Sequence, residues 1–337
     1  MTNLFSEFKY NNFNLKNRII MSPMCQYSVD TYDGMPNKWH EYHYVNRSIG
    51  GVGLITIEMT AISPEGRSTN RDLGLWSDDH IPAFKSIIDA CKLMNNTKVS
   101  IQISHAGRKA QDSPSSYSAS DIAFSDKYPK PKPLDILEIE EIIMQYALAA
   151  ERAVIAGADA IELHGAHGYL IHQFHSPLTN FRNDEYSDNV KFGVEVIKGI
   201  KSIIPKEVPL IMRISAVEYS IGGYDLDFMI KVSKSYKEAG VDIFSISSGG
   251  ESSFPDDYAG HHIPFSRKIK EELNIPIIVA GVLDNPSLAD SIIRNSDADL
   301  IAIGRGLLRN PYWPLNAAIE LKAEKQLEYP KQYMRAF

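Results

Sequence analysis

Short runs of β-branched and other apolar residues recur from one end of the chain to the other. They are RIIMSPM around Ile19, VGLITIE around Ile55, VSIQIS around Ile101, DAIELHG around Ile161, PLIMRIS around Ile211, DIFSISS around Ile246, PIIVAG around Ile278 and LIAIG around Ile303. Runs of this length and composition predict buried strands. Between them, residues 136–156, 192–203, 228–239 and 288–293 carry apolar positions at three and four spacing, which predicts helices. Strand alternating with helix implies a parallel sheet. The junctions Gly50-Gly51-Val52-Gly53, Ala156-Gly157-Ala158-Asp159 and Ala239-Gly240-Val241-Asp242 place glycine where a helix ends in the left-handed conformation.

Eight such units predict an α/β fold, a single (β/α)8 TIM barrel with long loops and a C-terminal extension. Such barrels need about 250 residues, and the chain has 337. A doubly wound sheet is the competing architecture. It is disfavoured because no GxGxxG follows the first strand and no composition break marks a second domain. Residues 111–133, rich in Ser, Lys and Pro, read as a long loop after the third strand that covers the site.

Composition narrows the function. The hydrophobic content of 44% supports a large core, and the net charge of −7 with no basic block argues against a nucleic-acid or anionic-membrane partner. Two cysteines, Cys25 and Cys91, make no disulfide framework. The polar opening segment and the lack of a long apolar run lead us to expect a cytoplasmic protein with no membrane span.

In a barrel the chemistry sits where strands end, so those residues form one set. The fourth run leads into HGAHGYL, bringing His164, His167 and Tyr169 together. Two imidazoles and a phenol suit polarising a carbonyl and delivering a proton. They also leave open a metal site, with His105 or Glu162 as third ligand, and a pair of purely structural histidines. After the seventh and eighth runs, Gly281 and Gly304 offer bare backbone amides and Arg305 a guanidinium, which together suit a phosphate. Other residues have plain readings: Arg108 and Lys109 as solvated, His40, His43, His172 and His175 as surface or packing residues, and His261-His262 as a helix start.

Taken together, NRIIMSPMCQYS from Asn17, DLGLWSDDHI from Asp72, IQISHAGRKA from Ile101, HGAHGYLIHQFHSPLTNFRNDEY from His164 and IGRGLLRNPYW from Ile303 resemble the old yellow enzyme family. The likeness is to its YqjM-type bacterial NADPH dehydrogenase branch and spans almost the whole chain. It implies an FMN-dependent ene-reductase that passes hydride from NADPH through flavin N5 to the C=C bond of α,β-unsaturated carbonyls, and also accepts quinones or nitro compounds. By resemblance, Ser22, Pro23, Met24, Cys25, Met59, Gln102, Arg213, Gly281, Gly304 and Arg305 hold the FMN. His164 and His167 bind the substrate carbonyl, Tyr169 gives the proton and Tyr27 helps to bind substrate. Residues 1–337 would be one FMN-binding domain. Its tail, 324–337, would carry Arg335 to a neighbouring subunit in a homodimer or homotetramer with a shared site.

The chain departs from the family pattern in three places: FRNDEYSDNVKFGVEV lacks an arginine usual in that segment, Met59 replaces a smaller residue, and the tail ends in Ala336-Phe337. The alternatives are a metal-dependent hydrolase on the same barrel and a non-catalytic binder of a phosphate-bearing ligand.

Overall fold

The eight apolar runs are the staves of a closed ring in this computed structural model, which describes residues 2–113, 116–250 and 257–336. They are β1 (Ile19–Met21), β2 (Leu54–Ala61), β3 (Lys98–Ser104), β4 (Ala160–Gly165), β5 (Leu210–Ser215), β6 (Ile243–Ser247), β7 (Ile277–Val279) and β8 (Leu300–Ile303). Each pairs in parallel with the next, and β8 returns to β1 with Ile301 opposite Ile19. The ring is a (β/α)8 barrel, so the sheet has no exposed long edge.

Helices α1 (Lys38–Ile49), α2 (Ile81–Asn95), α3 (Ile136–Ile155), α4 (Lys191–Ile203), α5 (Leu226–Ala239), α6 (Ile263–Leu273), α7 (Pro286–Arg294) and α8 (Trp313–Glu320) surround it. Local chemistry starts and stops them. Asp135 and Glu138 form a capping box on α3, and Asp225 and Asn285 cap α5 and α7. Gly51, Gly157 and Gly240 follow the predicted helix ends at φ 95°, 98° and 125°, values that penalise any side chain. None of the helices among the described residues is long and apolar enough to cross a membrane.

The barrel floor is apolar. Ile20, Leu54, Ala160, Ile211, Ile243, Ile278 and Leu300 meet there, and Phe8, Phe13 and Leu15 of an antiparallel N-terminal hairpin join the same cluster. The larger core lies between staves and helices. One irregularity interrupts the ring: β2 and β3 slip register between Ile57 and Thr60, a bulge centred on Glu58-Met59. A bulge re-aims side chains locally. The loop of residues 111–133 carries a small ladder of its own, Tyr117–Ser118 against Lys132–Pro133.

Candidate active site

Strand periodicity builds the site. Successive residues face opposite sides of the sheet, so two steps along β4 from Ala160 come Glu162 and then His164, and two steps along β5 from Ile211 come Arg213 and then Ser215. An apolar floor therefore gives way to a polar layer: Gln102 Nε2 donates to Glu162 Oε1 at 2.7 Å, and Arg213 Nη1 lies 4.0 Å from the same oxygen. All three side chains are buried.

Above this layer opens a cavity of about 720 Å³. Ser22, Pro23, Met24, His167, Arg213, Gly281, Gly304 and Arg305 line it. Arg213 Nη1 has no hydrogen-bond partner although it is buried, a donor waiting for an acceptor. Gly281 sits at φ 122°, where a side chain would be strained. Arg305 stands at the rim, exposed, with its Nη2 donating to Asp257 at 2.6 Å.

Cys25, Met59 and Gln102 are not on the cavity lining itself. Cys25 and Met59 pack in an apolar cluster with Ala61, Ala106, Ala110, Trp76 and Tyr169. Burial, then Asp72 and Glu58, push the Cys25 thiol pKa up, which disfavours the thiolate. Tyr27, at φ 50° and half exposed, shares a hydrogen bond with that thiol.

The three groups of HGAHGYL do meet. The His164 ring lies 5.2 Å from the His167 ring and 4.6 Å from the Tyr169 ring, both edge to face. The turn that presents them is strained, with His167 at φ 56° and Gly168 at φ 72°. Four polar contacts hold it: His167 N donates to Ser215 Oγ, Lys109 Nζ to the His167 carbonyl, Gln173 Nε2 to the Gly168 carbonyl, and Ala166 N to His164 Nδ1. The last fixes a tautomer. A His164 Nδ1 that accepts leaves the proton on Nε2, so Nε2–H is a donor. Burial first, and then the Arg213 cation, lower both histidine pKa values well below the ordinary range, so both imidazoles are neutral. His167 Nε2 lies 2.7 Å from Ser247 Oγ.

Several assignments need correction. Arg108 and Lys109 are not solvated: Arg108 is buried and donates to the Ile122 and Ala123 carbonyls, and Lys109 is drawn in under the Phe124 ring. His262 is more than a helix start, being buried with Nε2 2.7 Å from Ser248 Oγ and lining the cavity together with His261. His40, His43, His172 and His175 are all buried packing residues, none of them at the surface. Glu162, read only as a possible metal ligand, is the hub between Gln102 and Arg213.

A zinc site draws no support from this geometry. Glu162 is committed to Gln102, His105 Nδ1 accepts from Gly107 N, and no group of three or more metal-binding side chains comes together among the described residues. Arg335 does not reach the histidine pair of its own chain; it lies beside Asn310, Tyr312 and Asn316 near α8. Phe337 lies outside the described residues.

Comparison with known proteins matches the sequence family and the barrel fold. The sequence model of the NADH:flavin oxidoreductase / NADH oxidase family matches residues 3–324. An NADPH dehydrogenase of Listeria welshimeri is 42% identical over 342 residues, covering 100% of both chains. One of Clostridium acetobutylicum is 42% identical over 341 residues, covering 99% of each. Among solved structures, morphinone reductase superposes with a TM-score of 0.82 at 22% identity, over 95% of this chain and 90% of that one. A 2-naphthoyl-CoA reductase complex gives 0.89 at 23% identity, over 96% of this chain and 53% of that longer one.

Proposed function

Because the chain belongs to the NADH:flavin oxidoreductase / NADH oxidase family and is an FMN-dependent NADPH dehydrogenase of the old yellow enzyme type, we propose that its acceptors are activated alkenes, above all α,β-unsaturated carbonyls. The residues present fit a flavin. Arg213 offers a buried, unpartnered donor into the cavity, and Gly281 keeps the cavity wall clear of a side chain. Ser22, Pro23 and Met24 would hold the ring system from the cavity lining, with Cys25, Met59 and Gln102 as its neighbours beyond that lining, Arg213 its polar edge, and Gly281, Gly304 and Arg305 the phosphate. FMN, when bound, supplies the hydride chemistry between NADPH and the acceptor.

The chain's own residues do the rest. His164 Nε2–H and the His167 ring donate hydrogen bonds to the substrate carbonyl, drawing electron density from the β-carbon. Their neutrality matters, because a neutral imidazole polarises the carbonyl without surrendering its proton. Tyr169 gives its phenolic proton to the α-carbon, and Tyr27 flanks the substrate from the other wall. Quinones and nitro compounds fit the same donors. Residues 1–337 act as one FMN-binding domain in the cytoplasm, with the tail 324–337 carrying Arg335 into the site of a second copy in a homodimer or homotetramer.

The observation that carries this reading is the neutral His164–His167 pair edge-on to Tyr169, beside a cavity with the unpartnered Arg213 donor. The test is anaerobic. Purified protein should be yellow, NADPH should bleach it, and cyclohexenone should restore the colour with formation of cyclohexanone. Protein bleached by NADPH but left reduced by enones, maleimides and quinones alike would refute the acceptor assignment.

A further inference from the structure

A proton donor that is buried must be helped to ionise. When Tyr169 gives its proton to the α-carbon, the O–H bond breaks, a C–H bond forms, and the electron pair stays on the phenolic oxygen until solvent returns a proton. That transient anion is badly placed. Burial, then the Cys25 and Tyr27 groups and the Asp72 carboxylate, push the Tyr169 pKa well above the ordinary phenol, and a hydrogen bond with Ser68 offsets only part of this.

A cation stands against the ring. Lys109 Nζ stands 5.5 Å from the Tyr169 ring centroid and 4.3 Å from that of Phe124. It is oriented by donating to the His167 carbonyl at 2.8 Å and to the Gly250 carbonyl at 3.4 Å. These are neutral acceptors, so neither cancels its charge. Burial, then the neighbouring Arg108, draws the lysine pKa down to about 8, which leaves the ammonium mostly charged at neutral pH. The other titratable groups that sense it are His164, His167 and His172, all held neutral by burial.

We propose that Lys109 is the counter-charge for the Tyr169 phenolate, a positioning residue that clamps the strained His167 turn and stabilises the anion left behind when the proton departs. This rests on Tyr169 being the donor. The lysine stands against the ring face, which puts the phenolic oxygen somewhat farther off than the centroid; at an effective dielectric near 20, a unit charge about 6–8 Å from that oxygen moves its ionisation by about one to two pH units. The cation also prefers the anionic ring to the neutral one, so the effect is greater in the transition state than in the resting enzyme.

The test uses the FMN-loaded protein carrying, at position 169, a fluorinated tyrosine acidic enough to ionise while Lys109 is still charged. Its ionisation is followed by fluorine NMR. Lys109→Met should raise its apparent pKa by about one unit or more, and Lys109→Arg should leave it near the parent value. Lys109→Gln keeps a donor for the His167 carbonyl but no charge, and should behave as the methionine variant. In single-turnover experiments with natural Tyr169, the methionine and glutamine variants should slow alkene reduction about tenfold or more, with the arginine variant rescuing it and flavin reduction by NADPH unchanged. A fluorine titration that is the same in all four proteins overturns the proposal, as does a glutamine variant matching the parent. If Tyr169→Phe leaves alkene reduction intact, the donor assignment fails instead, and the titration still reports whether Lys109 governs the phenol.

Discussion

Arg213→Met tests the cavity at its most loaded point. The Arg213 guanidinium is buried, lies 4.0 Å from Glu162, and has one nitrogen with no hydrogen-bond acceptor among the protein groups. An acceptor oxygen arriving at that nitrogen makes a charge-assisted hydrogen bond in a desolvated site, worth about 1.5–3 kcal/mol. Removing the donor should weaken FMN binding roughly ten- to a hundredfold. The assay is a fluorescence-quenching titration of apoprotein with FMN, repeated for Arg213→Lys, which keeps the charge but loses the planar fork and should fall between.

A second readout separates a binding effect from general damage. Burial already raises the Glu162 pKa, and Arg213 opposes that rise. Without the arginine it climbs further, and a carboxyl whose folded pKa exceeds its unfolded one contributes stability at low pH that is lost as pH rises through the folded value. Apo Arg213→Met should therefore lose more stability than the parent apoprotein as pH rises above the ordinary carboxyl range. FMN affinity unchanged within about threefold would refute the placement of the flavin's polar edge at Arg213.

Tyr169→Phe should slow alkene reduction by about a hundredfold or more while leaving flavin reduction by NADPH nearly unchanged; equal losses in the two stopped-flow half-reactions would remove its role as donor. Glu58, which accepts from Tyr44 Oη and Gln26 N, has its pKa raised to about 8 by burial. Its stabilising contribution is therefore lost as pH rises through about 8, and Glu58→Gln should flatten the decline in Tm across that range, a result that thermal melts at several pH values can contradict. Gly281→Ala forces a side chain onto φ 122° with His262 Nδ1 at 3.1 Å, and urea denaturation should show a loss of about 1–3 kcal/mol.

Much of this site is legible in the sequence because the staves carry it in register. His164, Arg213 and Gln102 each lie at the polar end of an apolar run, where alternation alone turns them inward. The hub at Glu162 was not legible in the same way. A glutamate inside an apolar run signals something, but its partners Gln102 and Arg213 come from two other strands and only ring closure brings them together. Lys109 and Arg108 read as solvated because lysine and arginine in a loop usually are. What encloses Lys109 is a ring from the following loop, Phe124, and two backbone carbonyls, neither of which sequence spacing reveals. His262 looked like a helix start and is one, yet Ser248 and the Ala280 carbonyl make its ring part of the cavity wall. The role proposed for Arg335 needs a second copy, and a single chain shows only that this residue lies beside Asn310, Tyr312 and Asn316, away from its own histidine pair.

The seam between β8 and β1 has a consequence for biogenesis. Ser22 N donates to the Ile303 carbonyl across it, and Met24 lies against Gly304, so two sides of the cavity proposed for the flavin come from the first and last staves to leave the ribosome. No nascent chain lacking the final strand can offer a complete seat for the coenzyme. FMN bound there would be a clasp across the join, raising the cost of opening it in proportion to the logarithm of free FMN over its dissociation constant.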